Sequence, residues 1–239
     1  MDLADPAAQS TLATNTVLVR KRGDQVRRLL DELLGVGSLA GKRVLELGSG
    51  FGALASYLAW RELPLELIGA DVEDDYVRLA RDSAAELGLD PILRFEKLDM
   101  RNLSSIDDES IDVLIANNSF IYLPTRRDER RALQECARVL VPSGSLLIYQ
   151  ANRWRFNEPF TRDPVVHLLA PSIASVVSRR TGWRHNHGRV RLMSPPELRR
   201  ELRRAGLQPS GTIGFGARIV RRGPLRNFGT FFAQGGRKP

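Results

Sequence analysis

The sequence predicts an α/β fold, a mostly parallel sheet covered by helices on both faces, and three observations carry that prediction. First, VLELGSGFG, Val44 to Gly52, is a short apolar run that breaks into glycines at every second position, and the apolar helical face ALASYLAW follows at once. Strand, glycine loop and helix in that order make a parallel βα unit with a nucleotide pocket over the loop, because the glycines let a ligand approach the backbone and the helix N-terminus presents unpaired N–H groups. Second, the strand-then-helix order returns over residues 65–87 and 112–140, as expected where crossover helices join parallel strands. Third, 239 residues suffice for one large domain that buries ~70 to 75% of its unfolded surface and needs neither disulfide nor metal.

Composition narrows the classes further. Cys136 is the single cysteine, in LQECARVL on a helical period, so an intramolecular disulfide is excluded and a buried core thiol is expected rather than a nucleophile. The start, MDLADPAAQSTLATNT, lacks the basic and continuous apolar regions of a signal peptide, and no run approaches the ~18 apolar residues of a membrane span, so the expected location is the cytoplasm. The net charge of +8 is unevenly held: residues 1–150 carry 18 Lys and Arg against 24 Asp and Glu, whereas residues 151–239 carry 18 against 4. The basic balance therefore belongs to the C-terminal third and bears on the acceptor side of the molecule.

In chain order, residues 1–19 show no period and read as a loose lead-in. Val26, Leu29, Leu30, Leu33 and Leu34 then fall at helical spacing, with Asp24 as the expected N-cap and Gly35 as the stop. Arg20, Lys21 and Arg22 precede that helix and read as a solvated basic cluster in preference to a ligand contact. Leu65, Leu67, Ile68 and Ala70 form the second strand, with Asp71 at its carboxyl end, 25 positions after Glu46 and close to the offset of ~20 at which an acidic side chain meets a ribose diol. ILRFEKLDM forms a third strand, and IDVLIANN a fourth. The helix RRDERRALQECARVL, a turn at Pro142 to Gly144 and the strand SLLIYQAN complete the regular part.

The identity of the nucleotide turns on Glu46. Gly48, Gly50 and Ala53 satisfy the G-x-G-x-x-G/A pattern of dinucleotide sites, yet a carboxylate two residues before the first glycine stands where a pyrophosphate would lie, and it suits a cation better. E-x-G-x-G-x-G resembles motif I of the class I S-adenosylmethionine-dependent methyltransferases, whose cofactor carries an ammonium and a sulfonium but no phosphate. The resemblance covers residues 44–150 and, in outline, the terminal strands. It implies a Rossmann-like seven-stranded, mostly parallel sheet with a C-terminal antiparallel hairpin, here QPSGTIGFGARIV and RNFGTFFAQGGRKP. It also implies S-adenosyl-L-methionine held by Glu46, Gly48, Gly50, Gly52, Asp71, Val72, Asp99, Met100 and Asn117. Asp99 would accept from the adenine amino group, Met100 would lie on the ring, and Asn117 would stand beside the sulfonium. Asn117-Asn118-Ser119-Phe120 lacks the N-P-P-[YFW] or D-P-P-Y string of base amino-methyltransferases, which counts against methylation of a nucleic-acid base.

A single domain is therefore expected over 1–239, divided into a helical lead-in (1–43), a cofactor core (44–152), an inserted acceptor cap (153–193) and a last helix with terminal strands (194–239). The cap follows the fifth strand at the carboxyl edge, where α/β proteins bind ligands. Tyr122, Arg153 and Trp154 flank that edge as candidate acceptor contacts. Methyl transfer is an in-line displacement in which orientation supplies much of the rate, so a general base is needed only for a weakly acidic acceptor. His185 and His187 are the candidates, and His167 reads as a core residue. No acidic or cysteine partner lies near them and Arg184 and Arg189 flank them, so no metal is expected. The expected activity is methyl transfer to a small-molecule or glycan-linked acceptor, with an anionic acceptor favoured by the basic third. The alternatives are a tRNA or rRNA methyltransferase, a peripheral membrane contact through Leu168 to Arg180, and a cofactor-binding module without turnover.

Overall fold

The computed structural model describes residues 6–154, 191–215, 219–220 and 231–239, with residues 6–19 and 219–220 described as backbone only. Its elements are α1 (Pro6–Leu34), β1 (Arg43–Leu47), α2 (Ala53–Glu62), β2 (Glu66–Asp71), α3 (Asp74–Glu86), β3 (Leu93–Lys97), β4 (Ile111–Asn117), a 3₁₀ turn (Phe120–Tyr122), α4 (Arg126–Val139), β5 (Leu140–Ala151), α5 (Pro195–Arg204), β6 (Gln208–Phe215), β7 (Ile219–Val220) and β8 (Phe231–Arg237).

One sheet takes the order β3-β2-β1-β4-β5-β8-β6-β7. The first five strands pair in parallel, and β8 runs antiparallel between β5 and β6. Seven strands form the Rossmann-like sheet expected. The eighth, β7, adds two residues at the β6 edge, paired at Gly214↔Val220 and Phe215↔Ile219. Strand order reverses between β1 and β4, and a crevice outside the carboxyl ends of those two strands is where such sheets hold ligands. The apolar periods explain the layers. Leu67, Phe95, Ile115, Leu147 and Ala233 face α1, α2 and α3, while Leu47, Ile68, Leu114, Ile148 and Phe232 face α4 and α5. Cys136 is buried in that second layer, and burial pushes its thiol well above the usual range, as a core thiol requires.

The N-terminal reading needs correction. Residues 6–19 are not a loose lead-in but the first half of α1, and Asp24 lies inside the helix rather than capping it. Its carboxylate accepts from the Tyr57 hydroxyl at 2.6 Å. Gly23 looks like an interruption in sequence, but it is the point of closest approach of α1 to α2: a Cβ there would lie 2.0 Å from the Tyr57 ring. Gly35 does end the helix. It sits at φ 62, with Gly35 N donating to Asp31 O and Val36 N to Leu30 O, the paired bonds of a left-handed C-cap. The Pro142 to Gly144 turn is absorbed into β5 as an irregularity, with Ser143 at φ 65 and the pairing with β4 resuming at Val113↔Ser145.

The charge asymmetry is partly internal. Arg191 donates to the buried Glu129 at 2.7 Å and also meets Glu197, Arg204 meets the buried Glu201 beside Arg130 of α4, and Lys238 reaches Glu109. Basic residues of the last third thus neutralise acids on α4, on α5 and in the turn before β4.

Candidate active site

The crevice is built by the glycine loop between β1 and α2 and by the ends of β2 and β4. Gly48 N and Ser49 N both donate to Ala70 O, which bends the chain out of the sheet directly after Leu47. Two glycines are required by close approach. Gly48 lies at φ 72, and a Cβ there would stand 2.3 Å from that of Ser119; Gly52 lies at φ 74, where a Cβ would fall 2.4 Å from the Phe95 ring. At Gly50, φ 53, a Cβ would meet no atom within 4 Å, so that position opens onto free space. Gly52 N-caps α2, which directs the first-turn amides of α2 at the loop.

Asp71, 9% exposed at the end of β2, ties the loop together: Oδ2 accepts from Gly50 N at 2.8 Å and Oδ1 from Glu73 N at 3.1 Å. A carboxylate offers about four acceptor positions, so about two remain. Glu46 lies one layer deeper, 2% exposed. Burial, and to a lesser extent the negative charge of Asp71, push its pKa up to about 8 against the pull of the Ala55 backbone amide. Its Oε2 has no hydrogen-bond partner.

That orphaned oxygen is one of a group. Of nine buried side-chain N and O atoms without a partner among the described residues, five line this crevice: Glu46 Oε2, Ser49 Oγ, Asn117 Oδ1, Asn118 Oδ1 and Ser119 Oγ. Unpartnered buried polar atoms are rare in folded proteins, and a cluster marks a place where a ligand completes the hydrogen bonding. The two amide oxygens can only accept, and Glu46 adds a third acceptor whenever it is ionised. The set suits an ammonium and hydroxyl donors better than a phosphate diester.

The structure brings Glu46, Gly48, Gly50, Gly52, Asp71 and Asn117 together, with Val72 49% exposed beside Asp71. Asp99 and Met100 follow β3 on the same edge. The Asp99 carboxylate is already engaged: the Arg101 backbone N and Nε donate to Oδ1, and Nε and Nη2 donate to Oδ2. This arginine holds Asp99 well below the usual carboxylate range and links it to Asp128 at 3.2 Å. Tyr122 is 61% exposed on the 3₁₀ turn and Trp154 37% exposed after β5, while Arg153 faces Glu197 at 3.8 Å. His167, His185 and His187, with most of the expected cap, lie outside the described residues. Among the described residues no cluster of metal-ligating side chains occurs, and no helix is long and apolar enough to cross a membrane.

Sequence reasoning missed Ser49, Asn118 and Ser119 as crevice residues, and the Arg101 clamp. Asn118 had a signal: it occupies φ 55, and asparagine is among the few residues that tolerate the left-handed region at a strand end.

Residues 44–144 match the family described as a methyltransferase domain, in keeping with the fold, the switch-point crevice and the resemblance to the class I S-adenosylmethionine-dependent methyltransferases. Two relatives and one solved structure add detail to that likeness. The chain is 34% identical to Methyltransferase GfsG of Streptomyces halstedii over 144 residues, 60% of this chain and 47% of that protein. It is 27% identical to the ubiquinone biosynthesis O-methyltransferase of Bordetella avium (strain 197N) over 178 residues, 74% of this chain and 67% of that one. It thus spans just under half the length of the first relative and about two thirds of the second. The geranyl diphosphate C-methyltransferase of Streptomyces coelicolor A3(2), solved with Mg2+, geranyl diphosphate and S-adenosyl-L-homocysteine, has the same fold: TM-score 0.65, 16% identity, 99% of this chain and 88% of that chain.

Proposed function

We propose that this protein transfers a methyl group from S-adenosylmethionine to a small-molecule acceptor, a glycan-linked one included, by in-line displacement. The observation that carries the reading is the cluster of five orphaned buried polar atoms around Glu46 at the switch point. When bound, the cofactor supplies an electrophilic methyl on a sulfonium. The chain's own residues then hold and orient. Glu46 and Asn117 accept from the ammonium, Asp71 accepts from the ribose diol with its remaining lone pairs while its other bonds keep the loop closed, and Val72 and Met100 border the adenine. Asp99 reaches the adenine amino group only by sharing acceptor positions with Arg101. Tyr122, Arg153 and Trp154 border the acceptor side, and orientation rather than a dedicated acid or base provides most of the acceleration.

Small-molecule acceptors are favoured by the names of the relatives, one an O-methyltransferase of ubiquinone biosynthesis and one a C-methyltransferase of geranyl diphosphate. An RNA acceptor draws on the basic C-terminal third, and several of its described cations are engaged internally: Arg191 on Glu129, Arg204 on Glu201, Lys238 on Glu109. Calorimetric titration with S-adenosylmethionine, S-adenosylhomocysteine and NAD tests the cofactor half, with tight binding of NAD alone as the overturning result. Incubation of methyl-labelled cofactor with fractionated metabolites, and separately with total RNA, tests the acceptor half. Label entering RNA and no small-molecule fraction sinks the small-molecule reading, and bound cofactor with no turnover on any fraction leaves only a binding module.

A further inference from the structure

We infer that the Gln150 amide, at the carboxyl end of β5, binds the methyl acceptor through a neutral group that sets a hydrogen-bond donor beside an acceptor: a hydroxyl next to a carbonyl, or a carboxamide. The inference rests on the proposed methyl transfer and names the class of its acceptor. Gln150 is 1% exposed, yet among the described residues neither its Oε1 nor its Nε2 has a hydrogen-bond partner. Four orphaned buried atoms lie outside the set around Glu46, and three of them are these two and Glu129 Oε2.

The topology brings both residues to the edge where the crevice opens. Asn117 pairs with Tyr149, and Asn118 N donates to Tyr149 O at 2.7 Å, so Gln150 comes next beside Asn118, one strand spacing of ~4.8 Å away. Side chains alternate along a strand. Tyr149 joins the layer under α1, α2 and α3, whereas Ile148 joins the layer under α4 and α5, and Gln150 shares the Ile148 face with its β8 neighbour Phe232. Glu129 stands in the first turn of α4, just after the 3₁₀ turn that leaves β4, and therefore at the same edge; it is fully buried, with Arg191 on Oε1 at 2.7 Å. The orphaned atoms thus run from Glu46 on β1 through Asn117 and Asn118 on β4 to Gln150 on β5. The cofactor's ammonium accounts for Glu46 and Asn117. The Gln150 end lies beyond it, between the segments that carry Tyr122 and Trp154.

The chemistry of the amide selects the ligand. A primary amide presents an acceptor and a donor in one plane, and a single group satisfies both only by returning a donor and an acceptor side by side, the pairing by which asparagine and glutamine read an adenine edge. An anion only accepts: it would satisfy Nε2 and leave Oε1 and Glu129 facing its charge. The described cations at this edge offer little counterweight, because Arg126, Arg191 and Arg153 already lie 2.7, 3.4 and 3.8 Å from Glu197. Burial also raises the Glu129 pKa against the pull of Arg191, the mark of surroundings that resist further negative charge.

The test compares the full chain with Gln150→Met, an apolar side chain of similar length, using methyl-labelled cofactor and a small-molecule metabolite extract at limiting and saturating amounts. At limiting extract the variant is expected to turn over about tenfold more slowly or worse, the size of leaving a buried polar group of the ligand unpaired. At saturating extract its rate should stay within about threefold, and its calorimetric affinity for S-adenosylmethionine within about twofold. Gln150→Asn, which draws the amide back by one methylene, should show the same loss and serves if the methionine variant fails to fold. Mass spectrometry of the labelled product should find an acceptor with a hydroxyl beside a carbonyl, or a carboxamide. Unchanged turnover at limiting extract overturns the inference, since the amide then holds only a trapped water. Equal losses at both extract levels, or a matching loss of cofactor affinity, overturn it as a packing effect, and so does a labelled acceptor without such a group. Wild-type protein that labels nothing overturns the proposed function, and this inference with it.

Discussion

Glu46→Gln is expected to make the ligand-free protein more stable and its cofactor binding weaker, with both effects governed by pH. The Glu46 pKa is about 8 in the folded chain, against the 4.5 of an ordinary glutamate side chain. Between those values the native state keeps a proton that the unfolded chain gives up, so stability falls as pH rises from about 4.5 to about 8 and levels off above. At ~1.4 kcal/mol per pKa unit, the difference between wild type and the neutral isostere is near zero at pH 4, of order 3 kcal/mol at pH 7 and of order 5 above pH 8. At roughly 2 to 4 °C per kcal/mol for a chain of this size, the variant should melt about 6 to 12 °C higher at pH 7.

Binding runs the other way. Wild-type Glu46 must lose its proton to meet an ammonium, so cofactor binding at pH 7 should release close to one proton and tighten as pH approaches 8. The glutamine variant should release none and bind roughly tenfold or more weakly. Thermal melts from pH 4 to 9 and calorimetry in buffers of different ionisation enthalpy read both quantities. Parallel melting curves for the two proteins, or no proton released by wild type, would refute the reasoning that a buried, unpaired carboxyl awaits a cation.

Three further outcomes follow from particular contacts. Gly52→Ala, forced to φ 74 with its Cβ 2.4 Å from the Phe95 ring, should cost about 3 kcal/mol or more in denaturant unfolding; Gly50→Ala, also left-handed but facing open space, should cost about 1 kcal/mol while lowering cofactor affinity more than about tenfold by calorimetry, because its methyl enters the space the ligand needs. Asp71→Ala removes the acceptor of Gly50 N and Glu73 N and should lower affinity at least about tenfold, an effect visible also as faster amide exchange in the glycine loop. Arg191→Ala strands the fully buried Glu129, whose pKa burial already raises, and should destabilise by ~3 to 5 kcal/mol; replacing Glu129 by Gln as well should recover part of that loss in denaturant titrations.

The order of strands and helices from β1 to β5, the glycine loop and the place of Asp71 at the end of β2 were legible in sequence because each is encoded locally. An apolar run or a glycine-rich turn needs only its neighbours to be recognised. The place of Glu46 on a strand before three glycines was legible by the same route, whereas its burial and its unpartnered Oε2 were not. What the amino-acid order did not disclose depends on residues far apart along the chain. α1 continues through Gly23 because Tyr57, 34 residues on, fills the space a side chain would take. Asp99 is clamped by Arg101, which Asp128 in turn holds from α4. Ser49, Asn118 and Ser119 come together as a set of unpartnered polar side chains only when β4 is laid beside β1, which puts the Ser119 side chain against Gly48. A side chain's local type says which bonds it can form; whether those bonds are already satisfied is a property of packing, and the unsatisfied ones around Glu46 are what mark the site.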